Sequence, residues 1–132
     1  MDLKKYFEDN KGTGILGTAD ADGNINLAVY ARPHMIDDTT AAFIMSDRLS
    51  HRNLGSNGKA AYLFIEESPG YRGIRLYLTK VKETSDPEEI KSMRRRKTYG
   101  DEDGEKARFL VYFSIDKTIP LLGGTDEMRE EP

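Results

Sequence analysis

Between two apolar runs, "AAFIM" (41–45) and "KAAYLFIEE" (59–67), the chain places Asp47, Arg48, Ser50, His51, Arg52 and Asn53 within seven positions. The connection reads as a very short helix that stops near Gly55. A helix start presents backbone N–H groups without partners and a partial positive charge, so it is a ready anion site. Ser46 or Asp47 is the natural cap, and Arg48, Ser50 and His51 follow within a turn and a half. Arg48 can grip two oxygens, Ser50 can donate from its hydroxyl, and His51 can donate one or two hydrogen bonds according to its protonation. A phosphate monoester is the ligand that suits this set. The same residues would also be satisfied by water on an exposed helix, and Asp47 would repel a phosphate unless it caps. The chain has no glycine-rich phosphate loop.

Composition narrows the remaining chemistry. The sequence has no Cys, which excludes disulfides and thiolate catalysis, and two His, too few for a three-His metal site. At 132 residues, with 33% charged and 37% hydrophobic residues, it suits one soluble domain. A net charge of −3 argues against a dedicated nucleic-acid binder, which needs an excess of cations. "MDLKKYFEDNKG" lacks the apolar centre of a signal peptide, and no apolar run approaches the length of a membrane span. A cytoplasmic protein, with neither membrane nor nucleic acid as partner, is the expectation.

The polar turn has to be held by the elements around it. Asp2 caps a first helix with Leu3, Tyr6 and Phe7 on one face, which plugs one end of a barrel, and Gly12 supplies its stop. "GILGTA" (14–19) and "INLAVYAR" (25–32) flank an Asp22-Gly23 turn and pair as an antiparallel hairpin. In the second strand Ile25, Leu27, Val29 and Ala31 face one way, Asn26, Ala28, Tyr30 and Arg32 the other; one face is core and the other ends in Tyr30 and Arg32. His34 follows Pro33 in a loop. After the polar turn come a strand at 59–67, a Pro69-Gly70 turn, and a strand from Ile74 to Thr84. "SDPEEIKSMRRRKTYG" is a helix, with acids at its positive end and Arg94, Arg95, Arg96 and Lys97 at its negative end, which explains those cations without a ligand. A last strand occupies 107–116. About six short strands with tight turns favour a closed or nearly closed antiparallel barrel.

The order of elements, with "GILGTADADGNINLAVYARP" and then "TAAFIMSDRLSHRNLGSNGKAAYLFIEE", resembles the pyridoxamine 5'-phosphate oxidase-like, FMN-binding split-barrel family over residues 1–118. The resemblance implies a mainly β fold with α: a six-stranded antiparallel split β-barrel with short helices; the tail at 119–132, from its polar end, is expected to be partly mobile. In that family a phosphate site lies in the turn that reads here Ser46, Asp47, Arg48, Leu49, Ser50, His51, Arg52, Asn53-Leu54; where relatives often carry Lys, this chain offers Arg48 and His51. The resemblance also places Tyr30, Ala31 and Arg32, with Ile44, Met45 and Ser46, around the flavin ring, Met45 covering a face. It further implies a homodimer with FMN sites between subunits. Tyr62, Phe64, Phe109, Tyr112 and Phe113 could supply the seam or serve as core, and Tyr71, Arg72 and Arg75 could reach a partner's site.

An FMN-binding flavoprotein, acting as a small oxidoreductase on an unidentified substrate, is the leading expectation. No acid–base constellation announces catalysis, which is compatible with chemistry carried by a flavin. The alternatives are the same fold holding deazaflavin F420 or haem, an OB-like barrel binding nucleic acid through its aromatic strands and "RRRK", and a ligand-free interaction module.

Overall fold

A computed structural model describes residues 1–93 and 108–123. The elements are α1 (Leu3–Asp9), β1 (Gly12–Ala19), β2 (Ile25–Val29), β3 (His34–Asp37), β4 (Thr40–Ser46), α2 (Leu49–Ser56), β5 (Lys59–Glu66), β6 (Gly73–Thr84), α3 (Pro87–Met93) and β7 (Arg108–Pro120). The strands form one antiparallel sheet in the order β2-β1-β5-β6-β7-β4-β3, with β2 and β3 at its open edges.

Among the described residues seven strands, rather than the expected six, make the sheet, and it does not close through hydrogen bonds. The additional strand is β3, in the stretch where His34 was expected in a loop. It pairs His34 with Ala42 and Met35 with Ala41, then shifts register before Asp37 meets Thr40. Four residues after a proline, without clean alternation, leave too little periodicity to find such a strand locally. Its turn is legible afterwards: the Asp37 side chain accepts from the Thr39 amide at 2.9 Å. β7 extends to Pro120, so the expected domain boundary at 118 falls inside a paired strand.

The sheet is strongly curled. Three strand steps separate β5 from β4, roughly 14 Å across a flat sheet, yet the Tyr62 and Phe43 rings lie 5.1 Å apart. One core therefore collects Leu16, Phe43, Met45, Tyr62, Phe64, Leu76, Leu78, Val111 and Phe113 from five strands. Each such large side chain contributes about 1.5–3 kcal/mol when fully buried. Tyr62, Phe64 and Phe113 are fully buried and Tyr112 nearly so, which makes these four core rather than seam; Phe109 is partly buried.

α1 closes one end of this core. The Asp2 side chain accepts from the Lys5 amide, satisfying one free donor of the first turn. Leu3 and Phe7 are buried, and the Phe7 ring meets Phe64 and Tyr62 edge-on. The helix ends at Asp9, and Gly12 begins β1 instead of stopping the helix. At the other helix, Asp86 accepts from the Glu88 amide and starts α3. Arg94 to Lys97 and residues 124–132 lie outside the described residues.

The expected inward face of β2 points outward. Ile25, Leu27 and Val29 are 77%, 69% and 76% exposed, whereas Asn26, Ala28 and Tyr30 are partly buried. Alternation predicts two unlike faces but not which one meets the core, and here the polar face turns inward, toward α2 and the cleft described below.

Candidate functional site

β4 ends at Ser46, and the chain turns at once, the Arg48 amide donating to the Ser46 carbonyl at 2.8 Å. Arg48 then occupies the cap position of α2 in an extended conformation, without a side-chain cap bond. The expected caps, Ser46 and Asp47, do not serve: Asp47 instead lies 3.6 Å from both the Arg52 Nε and the His51 Nδ1. The first-turn amides of α2 are thus left to solvent or a ligand.

Beside this helix start is a cleft of about 370 Å³, lined by Asn26 to Tyr30 of β2, Ile44 and Ser46 of β4, Arg48, Leu49 and Ser50 of α2, and Arg108 of β7. The ladder explains why Arg108 arrives there, since it is the register partner of Ser46. Ser50 is buried and accepts from the Asn26 Nδ2 at 3.2 Å. Burial pushes the Tyr30 phenol's pKa up, while the neighbouring Ser50 hydroxyl and the Arg48 charge pull it back without reversing the rise. Two guanidinium groups, the serines Ser46 and Ser50 and a phenol therefore share one concavity with Leu27, Ala28, Val29, Ile44 and Leu49. Such an arrangement can hold an anion at one end and a flat apolar body along the other.

Of the residues expected at the site, the structure brings together Tyr30, Ile44, Ser46, Arg48 and Ser50. Ala31, Arg32, Met45, His51 and Asn53 do not line the cleft. Met45 is 1% exposed in the core. Arg32 donates to the carbonyls of Phe7 and Asn10 at the end of α1, where cations are favoured. The Ala31 and Tyr30 carbonyls share the Tyr62 hydroxyl, each at 3.1 Å. Asn53 donates to the Thr18 Oγ1 at 3.1 Å, a buried bond that fastens α2 to β1. His51 turns away, its Nε2 lying 3.1 Å from both Glu83 carboxylate oxygens and its ring stacked on Phe109. Arg75 donates to the carbonyls of Pro120 and Gly123 within its own chain, and Tyr71 is exposed.

Sequence reading missed Asn26, Leu27, Ala28, Val29, Leu49 and Arg108 as cleft residues. The β2 residues carried a signal in their alternation. Arg108 carried none, because only strand pairing joins it to Ser46. No group of three or more His, Cys, Asp or Glu able to hold a metal exists among the described residues, and no described helix is long and apolar enough to cross a membrane.

The sequence matches no family model and no curated protein. Solved structures share its architecture. An FMN-binding protein from Syntrophomonas wolfei aligns with a TM-score of 0.75 at 22% identity, covering 93% of this chain and 86% of that one. A Clostridium acetobutylicum protein related to general stress protein 26, of the pyridoxinephosphate oxidase family, aligns with a TM-score of 0.64 at 15% identity, covering 96% and 94%. An F420 reductase aligns with a TM-score of 0.63 at 14% identity, covering 87% and 94%. The fold is therefore that of the pyridoxamine 5'-phosphate oxidase-like split barrels, as the sequence resemblance implied.

Proposed function

We propose that the cleft binds FMN and that the protein is a small FMN-dependent oxidoreductase. The observation that carries this reading is the convergence of Arg48, Ser50 and the uncapped start of α2 in one cleft with an apolar wall. The residues fit the group: Arg48 and Ser50 would hold the phosphate, with Arg108 as a second cation, and Leu27, Ala28, Val29 and Ile44 suit an apolar ring. FMN, when bound, supplies electron or hydride transfer. The protein's part is to bind and orient. Arg48 neutralises the phosphate charge, Ser50 donates from a hydroxyl whose oxygen accepts from Asn26, and the β2 wall keeps water from one side of the ligand.

The working unit in this reading is a homodimer. Ile25, Leu27 and Val29 form an apolar stripe on an open sheet edge, next to the exposed Leu49, and Leu27, Val29 and Leu49 also line the cleft. A long apolar edge left in water is a liability that self-association removes. A second copy seated there would bury the stripe and complete the cleft's outer wall.

Titration of the purified protein with FMN and with riboflavin tests the reading. Tighter binding of FMN and a flavin absorbance spectrum are expected; equal affinity for the two would defeat the phosphate assignment. The likeness in fold to an F420 reductase favours a second reading, deazaflavin, and the mass of the cofactor released on heating separates the two.

A further inference from the structure

α2 is fastened at three residues. Asn53 bonds to Thr18 of β1 and Ser50 accepts from Asn26 of β2, both on one flank of the sheet. His51 makes the attachment on the other flank. Successive helical residues point about 100° apart, so neighbours in one turn can serve opposite walls. The His51 ring lies 3.9 Å from the Phe109 ring of β7 with 9° between planes, and its Nε2 faces both Glu83 oxygens of β6. The strand order sets β2 and β1 far from β7 and β4, and the cleft lies where β2 faces the ends of β4 and β7. α2 thus spans the split between the two flanks.

The surroundings of His51 make this contact specific. From β6, Glu83 meets it and shares its carboxylate with Lys80, whose Nζ is 2.7 Å from Oε1. From the turn before α2, Asp47 lies 3.6 Å from Nδ1, within ion-pair reach but too long for a hydrogen bond, and Arg52 flanks that carboxylate. β7 contributes the uncharged Phe109 face. Nε2 donates to Glu83, which fixes the ring's orientation.

Resting on the phosphate reading of the cleft, we infer that His51 is a positioning residue: held between Phe109 and Glu83, it locks the first turn of α2 to β6 and β7 and so sets where Arg48 and Ser50 meet the ligand's anionic group. His51 itself does not touch that group. The work passes through the backbone of a single turn, since Arg48 and Ser50 lie three and one residues before it.

Amide hydrogen exchange at residues 49–52, together with FMN and riboflavin affinities, tests this in the wild type and in His51→Ala, His51→Gln and Glu83→Ala. Loss of one charge-assisted contact should speed exchange in α2 and weaken FMN about tenfold in both alanine variants. Riboflavin affinity and exchange in β5 should stay unchanged. His51→Gln, which keeps a donor, should recover most of both effects. Unchanged exchange in His51→Ala and Glu83→Ala overturns the inference. So does weak FMN binding in His51→Ala alone, which would mean that His51 contacts the phosphate directly. Glu83→Ala, at a partly exposed strand position, keeps the test decisive if His51→Ala does not fold. Should the wild type bind FMN and riboflavin equally, the phosphate reading fails, and the exchange rates alone decide whether the lock exists.

Discussion

Asn26 of β2 donates from Nδ2 to the Ser50 Oγ of α2 at 3.2 Å, joining two segments that lie 24 residues apart. The bond orients the Ser50 hydroxyl in the cleft and draws the start of α2 toward the sheet edge. Ser50 is only 3% exposed, so losing either partner leaves a desolvated polar group, at a cost of about 1–3 kcal/mol.

Phosphate discrimination should follow Arg48 and Ser50. Each charge-assisted bond to an oxyanion is worth about 1.5–3 kcal/mol, so Arg48→Ala and Ser50→Ala should each weaken FMN roughly tenfold or more. Riboflavin affinity should hardly change. Calorimetric titration of both ligands gives the ratio, and an equal loss for both would mean that these residues shape the cleft instead of reading the phosphate.

Light scattering should report a homodimer, and Leu27→Lys should convert it to monomer while leaving the core intact, because the residue is 69% exposed. FMN should raise the wild type's melting temperature, since a ligand bound only by the folded form stabilises it by mass action. A wild type that is monomeric at saturating FMN rules the shared edge out.

Gly14→Ala should be strongly destabilising. A Cβ there would sit 1.8 Å from the Tyr62 hydroxyl oxygen and 2.5 Å from the Tyr30 carbonyl oxygen. Backbone cannot yield to that degree, so the Tyr62 bond to the Tyr30 and Ala31 carbonyls must break and β1 must part from the chain after β2. Overpacking of this kind costs about 1–3 kcal/mol, and the lost buried bond adds to it. Urea denaturation should show a lower midpoint; a midpoint equal to that of the wild type would contradict the close approach.

Acid should loosen the α2 attachment. Burial tends to raise the Glu83 pKa, but bonds from Lys80 and His51 outweigh it and hold the carboxyl below its ordinary value of 4.5. A depressed carboxyl stabilises the fold fully above its unfolded value, and that contribution is lost as pH falls through the folded one. Stability should therefore decline below about pH 4.5 from this group, and Glu83→Gln should flatten the decline. Melting temperatures of the two proteins across that range provide the check, and parallel curves would show that Glu83 contributes nothing.

Local signals in the sequence settled a great deal. Asp2, Asp22-Gly23, Pro69-Gly70 and Asp86-Pro87 mark their turns and caps through side-chain and backbone chemistry that acts over two to four residues, and α1, the β1–β2 hairpin and α3 begin where that chemistry requires. The polar turn after β4 was legible for the same reason, as a helix start rich in donors. Pairing and curvature were decided only by tertiary structure, because they depend on residues distant in the chain. Which face of β2 is covered depends on where α2 docks, and that is settled by Asn26–Ser50 and Asn53–Thr18. Arg108 reaches the cleft through its register with Ser46, 62 residues away, and His51 leaves it because Phe109 and Glu83 stand on the other side of the helix. A sequence states the donors and charges a segment carries; the packing of strands and helices around that segment decides which way each one faces.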